Sequence, residues 1–362
     1  MTDEFYMRRA LRLARRGEGW VSPNPLVGAV LVREDRIIGA GYHRRFGDAH
    51  AEINALRQAQ EPVQGATVYV TLEPCSHFGK TPPCVEALIA SRPARVVIGT
   101  ADPNPLVAGR GIEALRAAGI ATTLGILAKE CRELNERFFK FMTSGAPFVT
   151  IKVAQTLDGR VATTTGHSRW ISSPAARKFA HRLRSIHDAI LVGSGTVLAD
   201  DPELTVRHVR GRNPLRLIVD SRLKLPLTAK VFTRQSEART IVAATDRADR
   251  EKRKLLKDRG IETLLIAADD NGRVDMGKLF QELGKRQISS IFVEGGPAIV
   301  TSLLKEKLAD RLVIIVAPKI LGQGIDAVGD LGNVYMEEAT KIDVRRVYRK
   351  GGDIVIDGSP GK

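Results

Sequence analysis

The tetrapeptide Ser144-Gly145-Ala146-Pro147, directly after a helical stretch, divides the chain. Glycine and proline together stop a helix and start a new segment. On each side of the break, strand-like and helical segments alternate, so the sequence predicts two α/β domains, residues 1–145 and 146–362. The total of 362 residues also exceeds one ordinary domain.

In the first region an amphipathic helix is expected over residues 3–16, with Phe5, Met7, Ala10, Leu11 and Ala14 near helical spacing. Gly28–Val32 and Arg36–Tyr42 read as a hairpin around Glu34-Asp35, His50–Gln60 as a helix, and Thr67–Leu72 and Arg95–Thr100 as strands. Gly111–Ala118 and Lys129–Phe141 read as helices. In the second region strands are expected at Phe148–Ala154, Ala189–Gly193, Leu215–Asp220, Thr240–Ala244, Thr263–Ile266, Ser290–Val293 and Leu312–Val316. Helices such as Pro174–Ile186 and Asp249–Arg259 fall between them, which favours a largely parallel sheet.

With only 3 cysteines, Cys75, Cys84 and Cys131, a disulfide scaffold is excluded, and a reducing compartment fits. The N-terminal residues lack the apolar core of a secretory signal. No apolar run approaches the roughly 18 residues of a membrane span, so a cytoplasmic protein is expected. Lys and Arg number 56 against 41 Asp and Glu, a net charge of +15. Residues 1–145 hold 19 against 15, a net of +4, which leaves +11 for the second region. Aromatic residues are only 5% and no basic block reaches five residues, a poor match to a nucleic-acid binder. The excess fits dispersed surface charge plus ligands for a phosphorylated small molecule.

Chemistry concentrates first at His50-Ala51-Glu52 and Glu73-Pro74-Cys75, with Cys84 nine residues further on. One imidazole and two thiolates supply three ligands for zinc and leave the fourth position for water, which is a catalytic arrangement. A carboxylate two residues from the ligand histidine, itself no ligand, is placed to shuttle the proton. The order H-x-E then P-C is that of the zinc nucleobase deaminases, although their second cysteine follows after two residues rather than eight. Cys75 must therefore come from a loop and Cys84 from a helix that starts after Pro82-Pro83. Two blander readings remain: thiols that are merely small buried side chains, or a structural zinc with His77 as fourth ligand. Cys131 reads as a core residue.

The segments NPLVGAVLV, GYHRRFGDAHAE and EPCSHFGKTPPC resemble the deaminase half of the bifunctional riboflavin-biosynthesis deaminase/reductase family, in which the long cysteine spacing is characteristic. Phe78-Gly79-Lys80 replaces the His-Gly-Arg common there and keeps a cation at Lys80. The resemblance implies a cytidine-deaminase-like three-layer domain in which His50, Cys75 and Cys84 hold one zinc and Glu52 moves the proton. Asn24, His43, His77, Lys80 and Asn104 sit in or beside loops of the same region and are candidates for holding the pyrimidine.

In the second region, Gly193-Ser194-Gly195-Thr196 and Glu294-Gly295-Gly296-Pro297 each follow a strand. Such turns let backbone N–H groups approach a phosphate, and a helix after Pro297 adds a favourable dipole. Neither is G-x-G-x-x-G, so the ordinary dinucleotide fingerprint is absent. Each alone is more often a simple turn; two in one basic α/β domain favour a dinucleotide. The segments KVAQTLDGR, SRWISS, GSGTVLADDPELTVR and VEGGPAI resemble the reductase half of the same family, so the likeness spans essentially the whole chain. It implies a dihydrofolate-reductase-like α/β fold. NADPH contacts fall on Ala154, Trp170, Thr196, Asp200, Ser221 and the run Gly296, Pro297, Ala298, Ile299, Val300, Thr301 and Ser302. Substrate contacts fall on Ser168, Arg184, Leu204, Arg207 and Glu294. Arg184 and Arg207 suit a ribose 5-phosphate, and Lys152 and Glu294 are candidates for polarising a carbonyl or handling its proton.

The expected function is then deamination of 2,5-diamino-6-ribosylamino-4(3H)-pyrimidinone 5′-phosphate, followed by NADPH-dependent reduction of its ribosyl group to ribityl. The expected partner is this phosphorylated pyrimidine rather than nucleic acid or membrane, with a homodimer or higher homo-oligomer as the assembly. A nucleic-acid-editing zinc deaminase with a basic binding domain is the alternative.

Overall fold

The computed structural model describes residues 1–78, 82–105 and 107–361. The chain forms two compact units, Met1–Gly145 and Ala146–Lys362.

The first unit opens with helix α1 (Asp3–Ala14), whose Thr2 side chain accepts the Phe5 N–H and whose first turn carries Asp3 and Glu4. The hairpin strands β1 (Gly28–Arg33) and β2 (Arg36–Tyr42) follow. Next come α2 (Ala51–Arg57), β3 (Thr67–Val70), α3 (Cys84–Ser91), β4 (Arg95–Ile98), α4 (Arg110–Ala117) and β5 (Ala121–Leu124). The sheet order is β2-β1-β3-β4-β5, antiparallel through β3 and parallel beyond it. Its two faces bury separate apolar clusters, one around Val68, Val70 and Ile98 and one around Tyr6, Met7 and Val30, so helices cover the sheet on both sides in three layers. Gly41 lets α2 lie directly on β2: a Cβ there would sit 2.4 Å from the Ala55 nitrogen. That close packing fixes the helix that carries the candidate proton shuttle.

Two expectations for this unit need correction. The stretch Lys129–Phe141 is two helices, α5 (Ala128–Leu134) and α6 (Glu136–Ser144). Asn135 breaks it at φ −110°, ψ 20°. Its side chain accepts the Leu26 N–H at 2.7 Å and donates to the Leu26 carbonyl at 2.9 Å, a tertiary demand that helical periodicity does not encode. The edge strand β5 was not anticipated, because Ala-Thr-Thr-Leu lacks a buried face.

The second unit contains β6 (Phe148–Thr156), β7 (Arg160–Ala162), α7 (Pro174–Ser185), β8 (Ala189–Gly193), α8 (Ser194–Asp200), β9 (Leu215–Val219), α9 (Lys230–Thr233), β10 (Thr240–Ala244), α10 (Arg250–Asp258), β11 (Glu262–Leu265), α11 (Met276–Lys285), β12 (Ser290–Val293), α12 (Pro297–Lys305), β13 (Arg311–Ala317), β14 (Ile325–Asp326), β15 (Ile342–Lys350) and β16 (Asp353–Pro360). Nine strands form one sheet in the order β11-β10-β9-β8-β12-β6-β13-β16-β15. It is parallel from β11 to β13 and antiparallel in the last two pairings. Central strands such as Ala189–Gly193 are buried throughout, as expected where both faces are covered. The residues Gly193–Thr196, expected as a turn, are instead the end of β8 and the first turn of α8. The closing hairpin β15–β16 was also unanticipated: Ile342–Lys350 is an exposed, heavily charged edge strand. Among the described residues no helix is long and apolar enough to cross a membrane.

Candidate active sites in the two units

His50 is the N-cap residue of α2, in an extended conformation and with no capping hydrogen bond from its side chain, while Ala51, Glu52 and Ala55 of the helix are buried. Cys84 is the first residue of α3, after Pro83. Its backbone N–H donates to Sγ of Cys75, and Val85 N–H donates to the Cys75 carbonyl, which closes the loop between the two cysteines. His50 Nδ1 lies 3.5 Å from Cys75 Sγ and 3.3 Å from Cys84 Sγ. The three ligand atoms lie within 4.8 Å of one another, and His77 is not part of this cluster. Among the described residues no fourth protein ligand joins it, which matches a site with one position left open rather than a closed structural one.

The local electrostatics suit a metal. The hydrogen bond from the Cys84 thiol, and then those from His50 and the Cys84 N–H, outweigh burial and hold the Cys75 thiol well below its ordinary value. Cys84 is pushed up by that same hydrogen bond and by burial. A cation between the two sulfurs removes this competition for one proton. Glu52 is pushed up to about 7, by burial first and by the nearby Cys75 charge second. Its Oε2 is buried with no hydrogen-bond partner. A desolvated carboxylate oxygen without a partner is costly unless it has a proton to handle.

Around this centre the structure gathers some of the expected pyrimidine contacts. The His43 ring packs edge-on to His50 at 5.2 Å. His43 Nδ1 faces the Ala49 carbonyl at 3.3 Å and its Nε2 faces Asn24 Nδ2 at 3.3 Å. That pairing puts the proton on Nδ1, and burial lowers the pKa further, so the ring is neutral. His77 is half-buried, with Nδ1 unpartnered. Lys80 lies outside the described residues. Asn104 sits in a loop where its N–H donates to Asp102 Oδ1 at 2.8 Å.

Sequence reasoning missed Glu73 and Asp102. The buried Glu73 carboxylate accepts four backbone N–H groups, from Asp102 at 3.2 Å, Gly109 at 3.1 Å, Gly111 at 3.0 Å and Ile112 at 3.3 Å. It thereby ties the segment that carries Cys75 to both ends of the loop that carries Asn104. Asp102, pushed up to about 6 chiefly by burial, also feels Cys75. The Glu73-Pro74-Cys75 order was visible, but nothing local announced which backbone groups Glu73 would satisfy.

In the second unit Glu294, just beyond β12, forms a bidentate ion pair with Arg184 of α7, with Arg184 Nη2 donating to Oε2 at 3.0 Å. Lys152 of β6 stands 4.0 Å from the same carboxylate. Burial opposes all three charges. Arg184 overcomes it for Glu294, whose pKa is lowered, and Glu294 overcomes it for Arg184, whose pKa is raised; Lys152 stays lowered. Arg207 is exposed and paired with Glu203. Leu204 is buried in the apolar core.

The expected NADPH contacts divide similarly. Thr196 meets the 295–296 turn: a Cβ on Gly296 would lie 3.1 Å from Thr196 Oγ1, so this cradle depends on glycine. Gly296 caps α12, and Pro297 is its first residue. Val300 faces the core, Thr301 Oγ1 donates to the Pro297 carbonyl, and Ser302 pairs with Glu306. Ala298 is exposed at the first turn of α12, and Ile299 is partly buried against the core. Asp200 accepts from Ser168 at 3.4 Å, and Trp170 is 62% exposed with the Arg177 guanidinium 4.3 Å over its ring. Ser221 Oγ accepts the Val274 N–H at 3.1 Å, and Ala154 is partly buried on β6. A glycine cradle at a helix N-terminus, with an exposed aromatic face in the same unit, fits a dinucleotide.

Comparison with known proteins agrees with both halves. Residues 1–100 match the cytidine and deoxycytidylate deaminase zinc-binding region, and residues 147–356 match the RibD C-terminal domain. The riboflavin biosynthesis protein RibD of Aquifex aeolicus is 48% identical, covering 98% of this chain and 97% of its own. That of Escherichia coli is 42% identical, covering 98% and 99%. Among solved structures, Acinetobacter baumannii RibD superposes with a TM-score of 0.89 at 39% identity, over 99% of both chains. The Thermotoga maritima diaminohydroxyphosphoribosylaminopyrimidine deaminase/5-amino-6-(5-phosphoribosylamino)uracil reductase gives 0.87 at 38% identity, also over 99% of both.

Fold and site together define a zinc-type pyrimidine deaminase domain joined to an α/β reductase domain. The chain belongs to the RibD family of bifunctional riboflavin-biosynthesis deaminase/reductases.

Proposed function

We propose that residues 1–145 deaminate 2,5-diamino-6-ribosylamino-4(3H)-pyrimidinone 5′-phosphate, and that residues 146–362 reduce the ribosyl group of the product to give 5-amino-6-ribitylamino-uracil 5′-phosphate. The observation that carries the reading is the His50–Cys75–Cys84 cluster with the unpartnered Oε2 of Glu52 buried beside it.

His50 Nδ1 and the sulfurs of Cys75 and Cys84 would hold zinc. When bound, the metal supplies Lewis-acid activation of water near neutral pH. Glu52 would move a proton, at its carboxylate, from the attacking water to the 2-amino group, so that a C2–O bond forms as the C2–N bond breaks and ammonia leaves. Asn24 is assigned to the pyrimidine, with the buried His43 ring accepting from its Nδ2 and fixing its amide. Asn104, held on the loop anchored by Glu73, and His77 are assigned to the same base, and Lys80 to its carbonyl or phosphate.

In the second unit Thr196, Gly296 and the first turn of α12 receive the cofactor's phosphates, and Ala154, Trp170, Asp200 and Ser221 flank the rest of it. NADPH, when bound, supplies the hydride for C1′ of the opened ribose. Lys152, whose pKa burial lowers, holds the proton that completes the reduction, with Glu294 orienting it. Arg184 and Arg207 grip the 5′-phosphate, with Ser168 and Leu204 assigned beside them. The protein acts in the cytoplasm as a homodimer or higher homo-oligomer, and sedimentation would check the assembly.

Incubation with the diamino-pyrimidinone phosphate, with NADPH, NADH or neither, tests the reading. Ammonia should appear without cofactor, and nicotinamide absorbance should fall only after deamination and with NADPH preferred. No ammonia from zinc-replete protein would overturn it.

A further inference from the structure

His181 lies on α7 three residues before Arg184, and both side chains reach the same irregular segment, residues 203–207. Arg184 Nη1 donates to the Thr205 carbonyl at 2.9 Å. The Val206 N–H donates to Asn213 Oδ1 at 2.7 Å. The Arg207 N–H donates to His181 Nδ1 at 3.0 Å. Three consecutive residues each give one backbone group to a side chain from outside the segment, while Glu203 pairs with the Arg207 guanidinium from within it.

His181 is 5% exposed, and the His208 ring packs edge-on to it at 4.4 Å. An acceptor role at Nδ1 fixes the tautomer with the proton on Nε2 and the ring neutral. Burial, and then the charge of Arg184, lower its pKa to about 3, so the ring remains an acceptor throughout the neutral range. Arg207 itself is exposed, and a long side chain on a free backbone would sample many positions. The hydrogen bond from its N–H to a buried ring removes the backbone part of that freedom.

We propose that His181 is a positioning residue for the anionic end of the reductase substrate: by holding the Arg207 backbone, it places the guanidinium that grips the 5′-phosphate. This rests on the assignment of Arg184 and Arg207 to that phosphate. A histidine that only stabilised the fold would lower activity without regard to what the substrate carries. A positioning residue weakens the protein's preference for the phosphorylated substrate.

The test uses the full chain, saturating NADPH, and the deaminated intermediate with and without its 5′-phosphate. Wild type should prefer the phosphorylated compound by well over tenfold in kcat/KM. His181→Ala should lose about tenfold of that preference, the scale of one hydrogen bond. The loss should lie in KM, with kcat and the KM for NADPH within about twofold of wild type. His181→Asn, whose Oδ1 can accept the same N–H, should recover most of it. If wild type does not distinguish the two compounds, the phosphate assignment of Arg184 and Arg207 fails. If wild type distinguishes them and His181→Ala does so equally well, or loses kcat on both alike, the positioning role is overturned while that assignment stands. Should His181→Ala not fold, His181→Phe replaces it by filling the volume without an acceptor; failure of both to fold makes the ring structural and also overturns the inference.

Discussion

The backbone N–H of Cys84 donates to the sulfur of Cys75 at 3.3 Å, across nine residues of sequence. The first N–H groups of α3 have no partner within the helix, and here that of Cys84 favours negative charge on a sulfur delivered by a loop, while that of Val85 donates to the Cys75 carbonyl. This explains why the cysteines need not share one helical turn. It also predicts that Cys75→Ser, which keeps the shape but loses the thiolate, abolishes stoichiometric zinc and ammonia release. A chelator should do the same to wild type and lower the melting temperature of the first unit, because metal binding energy is folding energy. Reduction of supplied deaminated intermediate should continue in both cases. Elemental analysis and the two assays run separately are the check, and parallel loss of reduction would contradict separate sites.

Glu52→Gln retains the size of the side chain and removes its proton chemistry. Zinc content should stay at one per chain while ammonia release falls by about 10²- to 10⁴-fold, the usual worth of a general acid–base group. Replacing a buried, raised carboxylate by a neutral amide should leave folding intact or improved. Full activity in the zinc-loaded variant would remove Glu52 from the chemistry.

The Arg184–Glu294 pair gives the second unit a pH signature. Burial raises the Glu294 pKa and Arg184 more than reverses this, so the folded value lies below the ordinary 4.5. The stability this contributes is fully present above about 4.5 and is lost as pH falls through the lower folded value. The melting temperature of wild type should therefore exceed that of Glu294→Gln at neutral pH, and the gap should narrow as pH falls below about 4.5. Arg184→Ala leaves the carboxylate buried and uncompensated, at a cost of about 3–5 kcal/mol, or on the order of 10 °C for a domain of this size. A gap that stays constant with pH would show that the pair is not what Arg184 contributes.

Much of this could be read from residue types and spacing. The Gly145–Pro147 break, the hairpin Gly28–Tyr42 and the buried β-branched runs at Ala189–Gly193 and Ser290–Val293 carry their own patterns, because propensity and period act locally. His50, Cys75 and Cys84 were legible because few residue types bind zinc and their order is chemically restrictive. The family resemblance, rather than spacing, supplied the cofactor and substrate residues of the second unit.

Only tertiary structure revealed that Asn135 splits a continuous helical pattern to satisfy Leu26, that Glu73 collects four amides from a loop some thirty residues away, and that His181 accepts from Arg207. Ile342–Lys350 became a strand because Asp353–Pro360 offered it a partner, despite little apolar alternation of its own. The sequence determined which atoms could bind a metal, a phosphate or a proton, since that follows from side-chain chemistry. Which buried donor meets which acceptor was decided by packing, since a desolvated polar group takes whatever partner the fold brings within reach, and that partner leaves no mark in the local sequence.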